Sequence, residues 1–159
     1  MKAKVDATDL KILDLLQQDA TITVAQISAR VHLSQTPCWR RIQKLEEMGV
    51  IERRVAIINP ESIGLKLSVF VEVQAADHNS EWLARFAEAV AEMPEILEVH
   101  RMAGEIDYLL RVVVRDTEEY DEFYRRLIER VPAKNITSRF SMERVKSTTA
   151  YPIGVPVRS

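Results

Sequence analysis

The stretch His32–Arg54, "HLSQTPCWRRIQKLEEMGVIERR", carries the strongest structural signal in the chain. Five of its side chains are Arg or Lys, yet its first acidic residue is Glu46. The acid-free window extends back to Ala20 and is 26 residues long. At the chain's average of 24 acidic residues in 159, such a window would hold about four acids. One surface of this segment is therefore kept free of negative charge.

Three short helices with similar start signals are predicted around this window. Asp6 is expected to cap the first helix, and Thr23 with Gln26 forms a capping box at the start of the second. Ser34 is expected to cap the third helix, and Gly49 is expected to end it. Three short helices with a tight turn between the second and the third are typical of a helix-turn-helix unit.

A helical wheel divides the third helix into two faces. Cys38, Ile42 and Leu45 line the inner face. The outer side is polar and comprises Gln35 in the first turn, Thr36, Arg40, Gln43, Lys44 and Glu47, with Arg41 at its flank. A helix that enters the major groove of DNA avoids carboxylates at its leading end, because phosphates repel them. Amide, hydroxyl and guanidinium groups can read base edges there.

These residues predict a DNA-binding surface. Base readout is expected from Gln35, Thr36, Arg40 and Lys44. Phosphate contacts are expected from Ser34, Arg41 and either Arg53 or Arg54. The alternative is an ordinary amphipathic helix with a solvated polar face.

A strand is predicted directly after the third helix, over "VIERRVAII" (residues 50–58). It places Arg53 and Arg54 on a wing or hinge, where phosphate contact and a solvated strand edge are both open. Residues 1–60 carry a net charge of +2 and residues 61–159 a net charge of −4, which suggests two separate tasks. The predicted divisions are a helix-turn-helix domain over 1–58, a linker over 59–66 and a second domain over 67–159.

The second domain shows the pattern βαββαβ, which predicts a ferredoxin-like α+β fold. Strands are expected from Leu67, over 96–103, over 107–115 and over 136–145. Two helices are expected to start at the caps Ser80 and Thr117. Their expected buried stripes are Leu83, Phe86, Ala87 and Val90, and then Tyr120, Phe123, Tyr124, Leu127 and Ile128. The two halves repeat at an offset of 38 residues, with Trp82 matching Tyr120 and Pro94 matching Pro132.

Both helices of such a fold cover one face of the sheet. The other face is expected to carry Phe70, Leu109 and Val113, mixed with Asp107 and Arg111. Apolar groups on an uncovered face need a partner, and homodimerisation is the simplest one. A dimer also supplies DNA-binding helices in pairs, for half-sites about one duplex turn apart.

Composition argues against several other classes of protein. The single Cys38 cannot form an intramolecular disulfide, and the N-terminus lacks the apolar run of a signal peptide. No apolar stretch is long enough to span a membrane, so a cytoplasmic protein is expected. The three histidines, His32, His78 and His100, are scattered, and only four glycines exist. No metal site, cofactor site or catalytic set is therefore expected.

The segments "LSQTPCWRRIQKLEEMGVI", "MAGEIDYLLRV" and "SMERVKSTTAYPI" resemble the Lrp/AsnC family of bacterial and archaeal transcription regulators, in particular its DecR-like, cysteine-responsive branch. The resemblance covers about residues 5–153. It implies DNA binding by the third helix and dimers that assemble into an octamer. It also implies a small effector, commonly an amino acid and here possibly cysteine, between subunits near Gly104. Trp39 stands where the family has a smaller aliphatic residue, so this DNA-binding candidate is expected to alter operator preference.

The resemblance places Gly104, Glu105, Asp107 and Tyr108 on the family's effector loop, with Glu105 where Asp is common. Taken alone, the carboxylates of Glu105 and Asp107 suit an ammonium group, and backbone N–H groups around Gly104 suit a carboxylate. A β-turn with solvated acids is the alternative reading.

Two methionines, Met102 and Met142, are further candidates for the effector site. They either line an apolar pocket or belong to the core. Two other functions remain open at this point: an architectural, chromatin-like DNA binder without a ligand, and a small ferredoxin-like enzyme.

Overall fold

The computed structural model describes residues 5–153 of the chain. Within them, three helices are followed by the order βαββαβ, as predicted. The helices are α1 (Ala7–Gln18), α2 (Val24–Val31), α3 (Gln35–Glu47), α4 (Ser80–Glu92) and α5 (Thr117–Arg130). The strands are β1 (Leu67–Ala75), β2 (Ile96–Arg101), β3 (Tyr108–Val114) and β4 (Ala133–Phe140). A 3₁₀ turn over Pro60–Ile63 precedes β1.

The described chain divides into two compact units. The first comprises the residues up to Ile57 together with those from Val145 onward, and the second comprises Ile58–Arg144. The prediction places this C-terminal segment in the second domain, over 67–159. The backbone N–H and carbonyl of Tyr151 bond the side-chain amide of Gln17, each at 2.8 Å. The C-terminal segment is thereby attached to α1.

The start signals of α1 and α2 are confirmed. The Asp6 carboxylate accepts the backbone N–H groups of Thr8 and Asp9, both at 2.8 Å. Thr23 and Gln26 form the predicted reciprocal capping box. Ser34 is the N-cap residue of α3, but its side chain makes no capping hydrogen bond.

The core of the first unit lies between its three helices. The predicted inner face of α3 is confirmed, because Cys38, Ile42 and Leu45 are all buried. They join a cluster with Ile12 of α1 and Ile27 of α2. This packing holds the outer side of α3 toward solvent.

The second unit is an antiparallel sheet in the order β2-β3-β1-β4, which confirms the ferredoxin-like prediction. Alternate residues of β1 and β3 are buried under α4 and α5, in one cluster with Phe86 and Phe123. Because strand side chains alternate between the two sides, the remaining residues of these strands face away from both helices.

The predicted caps of α4 and α5 were each wrong by one residue. Asn79, rather than Ser80, accepts the backbone N–H at the third position of α4, at 2.8 Å. Asp116, rather than Thr117, does the same for α5, at 2.9 Å. In both places two residues that can cap are adjacent, and the one with the extended backbone takes the role.

The predicted buried stripe of α4 was also wrong in part. The helix buries Trp82, Phe86 and Ala89, whereas Leu83 and Ala87 are exposed. The Trp82 ring stacks on Phe86 with centroids 5.1 Å apart, and its indole N–H donates to the carbonyl of Pro132 at 2.5 Å. Burial of the large Trp82 side chain sets the rotation of α4 about its axis, so Leu83 faces solvent instead of the core. In α5, Tyr120, Phe123 and Leu127 are buried as predicted, while Ile128 is exposed.

The predicted strand over residues 50–58 is not formed, and β4 ends at Phe140 instead of Val145. A strand is held by hydrogen bonds to a neighbour, and the described chain offers residues 50–58 none. This segment leaves Val55, Ile57 and Ile58 exposed. Among the described residues, no helix has both the length and the apolar character needed to cross a lipid bilayer.

Candidate functional site

The turn between α2 and α3 sets the direction of α3 and therefore of its outer side. Helix α2 ends at Val31, and its C-cap residue, His32, has a left-handed backbone with φ of 57°. The Leu33 N–H donates to the carbonyl of Ser28 at 2.9 Å and closes this turn. Side chains other than glycine rarely adopt such a φ. The tight turn that is typical of a helix-turn-helix unit is therefore present.

Most of the predicted DNA-binding residues are exposed together on the outer side of α3. They are Ser34, Gln35, Thr36, Trp39, Arg40 and Lys44. Half of the Trp39 surface, 51%, is accessible. Within residues 5–153, neither Arg40 nor Lys44 forms an ion pair, so both cations are available to a ligand.

Arg41 lies differently from its expected place at the flank of the outer side. Its guanidinium is turned toward the start of α1, where Nη1 is 2.6 Å from Asp6 Oδ2 and 2.7 Å from Asp9 Oδ1. The helical wheel could not show this contact, because the partners are 35 and 32 residues away in sequence.

Gln43 and Arg54 are also engaged within the chain. Both bond Glu46, with Gln43 Nε2 at 3.0 Å from one carboxylate oxygen and Arg54 Nη2 at 2.7 Å from the other. Arg53 is exposed, and no ion pair holds it within the described residues. Of the two arginines, Arg53 is the one free to contact a phosphate.

The predicted effector loop lies between β2 and β3, where Gly104 has a φ of 127°. Gln74 of β1 donates to the carbonyl of Glu105 at 2.7 Å and holds the loop against the sheet. The Glu105 side chain is exposed. Its carboxylate is therefore accessible to solvent.

Asp107 is held more tightly than its neighbour in the loop. Its carboxylate accepts the backbone N–H of Ala75 at 2.8 Å, and its own N–H donates to Val73 at 3.0 Å. The Nε2 atom of His78 lies 3.8 Å from the other carboxylate oxygen. His78 and Gln74 were not predicted to lie here, because only the pairing of the strands brings them beside the loop.

Tyr108 belongs to the core rather than to the loop surface. Its ring packs 4.4 Å from Phe86 and 5.7 Å from Trp82, measured between centroids, and only 9% of its surface is accessible.

Met102 and Met142, the two further candidates for the effector site, lie far apart within one chain. Met102 follows β2 and Met142 follows β4, and these strands form opposite edges of the sheet. Because β2 and β4 also run in opposite directions, the two residues lie at diagonally opposed corners. Met142 is almost fully exposed, at 97%.

The face of the sheet away from α4 and α5, which we call the open face, carries the predicted apolar residues Phe70, Leu109 and Val113. Asp107 was expected there too, but it lies ahead of β3 and bonds the end of β1 instead. A register shift between Gln74 and Ala75 leaves the Ala75 N–H directed at it.

Two ion pairs flank these apolar residues on the open face. Glu72 pairs with Arg139 at 2.6 Å, and Glu98 pairs with Arg111 at 2.8 Å. The Arg139 guanidinium holds the pKa of Glu72 below its usual value. His100 and then Arg111 do the same for the pKa of Glu98. The open face is therefore a mixed surface with apolar groups between paired charges.

Within residues 5–153, no group of three or more His, Cys, Asp or Glu side chains could hold a metal ion. The buried Cys38 lies on the inner side of α3, and burial raises the pKa of its thiol. Burial makes this thiol less reactive, since the thiolate is the nucleophile.

Comparison with known families assigns both units. A winged helix-turn-helix DNA-binding domain matches residues 5–52, and the Lrp/AsnC ligand binding domain matches residues 68–151. The DNA-binding transcriptional activator DecR of Escherichia coli (strain K12) is 49% identical over 150 residues. This alignment covers 94% of this chain and 99% of DecR.

Solved structures agree with this assignment. An AsnC family transcriptional regulator from Agrobacterium tumefaciens is 51% identical, with a TM-score of 0.89 over 93% of this chain and 97% of that one. A transcriptional regulator from Neisseria meningitidis, in complex with L-Met, is 33% identical, with a TM-score of 0.90 over 95% and 98% of the two chains.

These relatives are named as transcription regulators, so the enzyme reading is excluded. The chain belongs to the Lrp/AsnC family of transcriptional regulators and, by its likeness to DecR, to the DecR-like branch of that family.

Proposed function

We propose that this regulator reads a specific DNA sequence with the outer side of α3, as a homodimer, and that an amino acid bound near Gly104 changes its DNA affinity or its assembly. One observation carries the proposal. The exposed side of α3 combines two free cations, Arg40 and Lys44, with amide and hydroxyl groups and no carboxylate before Glu46.

The exposed residues divide by the contacts that their chemistry suits. Gln35, Thr36, Arg40 and Lys44 carry the donors and acceptors that read base edges in the major groove. Trp39 offers an apolar surface to a thymine methyl group. Ser34 and Arg53 suit phosphates, which position a protein on the duplex without reading its sequence.

The open face supports a homodimer. Phe70 is 37% exposed there, with Leu109 and Val113 beside it. Pairing two open faces buries these side chains and presents two α3 helices to one duplex. Such pairs read half-sites about 34–36 Å apart, or multiples of that spacing. Further assembly into an octamer is part of the same proposal and rests on the family alone.

The loop chemistry supports an amino-acid effector. The free Glu105 carboxylate suits an α-ammonium group, and backbone N–H groups near Gly104 suit an α-carboxylate. The bound L-Met of the Neisseria meningitidis relative supports this class of ligand. The DecR-like branch makes cysteine the first amino acid to test.

Selection of duplexes from a random pool, with and without each of the twenty amino acids, tests both parts. Enrichment of one sequence supports specific readout, and recovery of unenriched DNA contradicts it. Thermal unfolding against the same amino acids tests the effector. A ligand at a hundredfold excess over its Kd stabilises the folded state by about 2.7 kcal/mol. Readout without any such stabilisation would instead indicate an architectural DNA binder.

A further inference from the structure

Arg41 of α3 lies between two carboxylates that belong to the first turn of α1. Its Nη1 atom is 2.6 Å from Asp6 and 2.7 Å from Asp9. Asp9 is buried, with 8% of its surface exposed, which is unusual for a carboxylate. The Arg41 side chain itself is 35% exposed. This contact joins the DNA-reading helix to the start of the chain's first helix.

Each carboxylate divides its two oxygens between α1 and Arg41. Asp6 uses Oδ1 for the N–H groups of Thr8 and Asp9, and Oδ2 for Arg41. Asp9 uses Oδ2 for the N–H of Asp6 and Oδ1 for Arg41. Both acids are thus fixed by the capping box before they meet the guanidinium. They form a prearranged acceptor pair rather than two mobile surface groups.

The geometry bears on α3 because Arg41 directly follows Arg40. Successive helical residues are about 100° apart around the axis, so fixing Arg41 against α1 fixes the direction of Arg40. Lys44 lies one turn further along the same outer side. Two charge-assisted hydrogen bonds from one guanidinium restrict the rotation of α3 beyond what apolar packing alone does.

We propose that Arg41 is a positioning residue, which sets the rotation of α3 through Asp6 and Asp9 and does not itself bind phosphate. The inference rests on the proposed DNA-reading role of α3. A phosphate contact would require the guanidinium to leave two carboxylates that together more than balance its charge in place. Such an exchange gains little, because the acids would then remain close to the DNA without a partner.

The test uses the full chain and five variants: Arg41→Ala, Asp9→Asn, the double variant that combines these two, Asp6→Asn and, as a matched control, Arg125→Ala. Arg125 pairs with Asp121 at 2.6 Å on α5, so its loss removes an arginine ion pair outside the DNA-binding unit. Binding is measured on the duplex selected by the wild-type chain and on a random duplex, at several salt concentrations. Thermal unfolding confirms that each variant is folded at the binding temperature.

For a positioning residue, Arg41→Ala and Asp9→Asn should both lower the ratio of selected to random binding by about fivefold or more, which is the low end for one base contact. The salt dependence on random DNA should stay as in the wild type. The effect of the double variant should be less than the sum of the two single effects, since both remove the same contact. Arg125→Ala should bind as the wild type does.

A phosphate contact predicts the opposite response. Asp9→Asn would then hold Arg41 less tightly, through Asp6 alone, and would strengthen binding to both duplexes, while Arg41→Ala would weaken both equally and reduce the salt slope by about one. That result, or wild-type behaviour of both variants, overturns the inference. If Arg41→Ala does not fold, Asp6→Asn decides, because Asn caps a helix about as well as Asp but lacks the charge and the second oxygen that accepts from Arg41. A wild-type chain without sequence preference overturns the proposed function instead.

Discussion

Glu46 and Arg54 pair at 2.7 Å, which joins the last turn of α3 to the segment that follows it. Gln43 donates to the other oxygen of the same carboxylate at 3.0 Å. The charge of Glu46, the first acid after the acid-free window, is therefore balanced by Arg54. The negative end of the α3 dipole would otherwise disfavour it. The free charges of this helix before Glu46 are positive.

Replacement of Glu46 by Gln should strengthen non-specific DNA binding. The change releases Arg54 and removes a carboxylate near the duplex, so one more cation becomes available to a phosphate. The slope of log K against log salt on random DNA should steepen by about 0.9, the value for one phosphate contact. Glu47→Gln is the control, because Glu47 is exposed and forms no ion pair within residues 5–153. Equal slopes for the two variants would contradict the role given to Arg54.

Arg40→Ala should remove sequence preference more than it removes affinity. A good bidentate base contact contributes about 1–3 kcal/mol of discrimination, whereas random DNA is held mainly through phosphates. Competition binding with the selected duplex and with single-base variants of it measures the loss. Arg53→Ala is the matched control and should weaken all duplexes alike. A uniform loss for Arg40→Ala as well would remove it from base readout.

Asp6→Asn should alter the pH dependence of stability. The Asp9 backbone N–H, and then the Arg41 guanidinium, hold the pKa of Asp6 below its ordinary value of 3.8. The charged carboxylate therefore stabilises the folded state fully above pH 3.8, and this contribution is lost as the pH falls through the folded-state pKa. Asn retains the cap but has no charge to lose.

Thermal unfolding of both proteins between pH 7 and pH 2.5 checks this expectation. The wild-type chain should be more stable than the variant at neutral pH, and the difference should shrink on acidification below about pH 4. A difference that stays constant with pH would show that the Asp6 charge contributes nothing.

Phe70→Asp should dissociate the proposed dimer. Phe70 lies on the open face, and an unpaired carboxylate buried between two such faces is strongly disfavoured. Sedimentation at several concentrations should show the mass of one chain. Leu83→Asp is the control, because Leu83 is exposed to a similar degree, 41%, on α4. If both variants keep the wild-type mass, the subunits meet elsewhere.

Glu105→Gln should abolish stabilisation by the effector without changing the stability of the unliganded chain. The Glu105 side chain is exposed, while its backbone carbonyl holds the loop through Gln74. Thermal unfolding with and without the selected amino acid measures both quantities. Glu88→Gln on α4 is a control for the loss of an exposed charge. Unchanged ligand stabilisation would place the ammonium group away from Glu105.

Features set by neighbouring residues could be predicted from the sequence. The capping box of Thr23 and Gln26 and the inner side of α3 depend on contacts three or four residues apart, and both predictions were correct. The alternation along β1 and β3 also gave the correct buried face. The wrong prediction of the α4 cap also has a local cause, since the adjacent residues Asn79 and Ser80 can both cap a helix.

Features that depend on distant parts of the chain could not be predicted. The pairing of Arg41 with Asp6 crosses 35 residues and leaves no periodic signal. The separation of Met102 from Met142 follows from the strand order, in which β2 and β4 are the two edges of the sheet. The segment over 50–58 has the composition of a strand, but no neighbouring strand of the described chain pairs with it.

The attachment of Tyr151 to Gln17 has a consequence for limited proteolysis. The backbone passes from the helical unit to the sheet near Ile57 and returns near Val145. After a single protease cut within the exposed residues 52–58, the two hydrogen bonds between Gln17 and Tyr151 would form a non-covalent link between the two fragments. Co-elution of the two fragments would show that the C-terminal segment stays bound to α1, and separate elution would show that it is released.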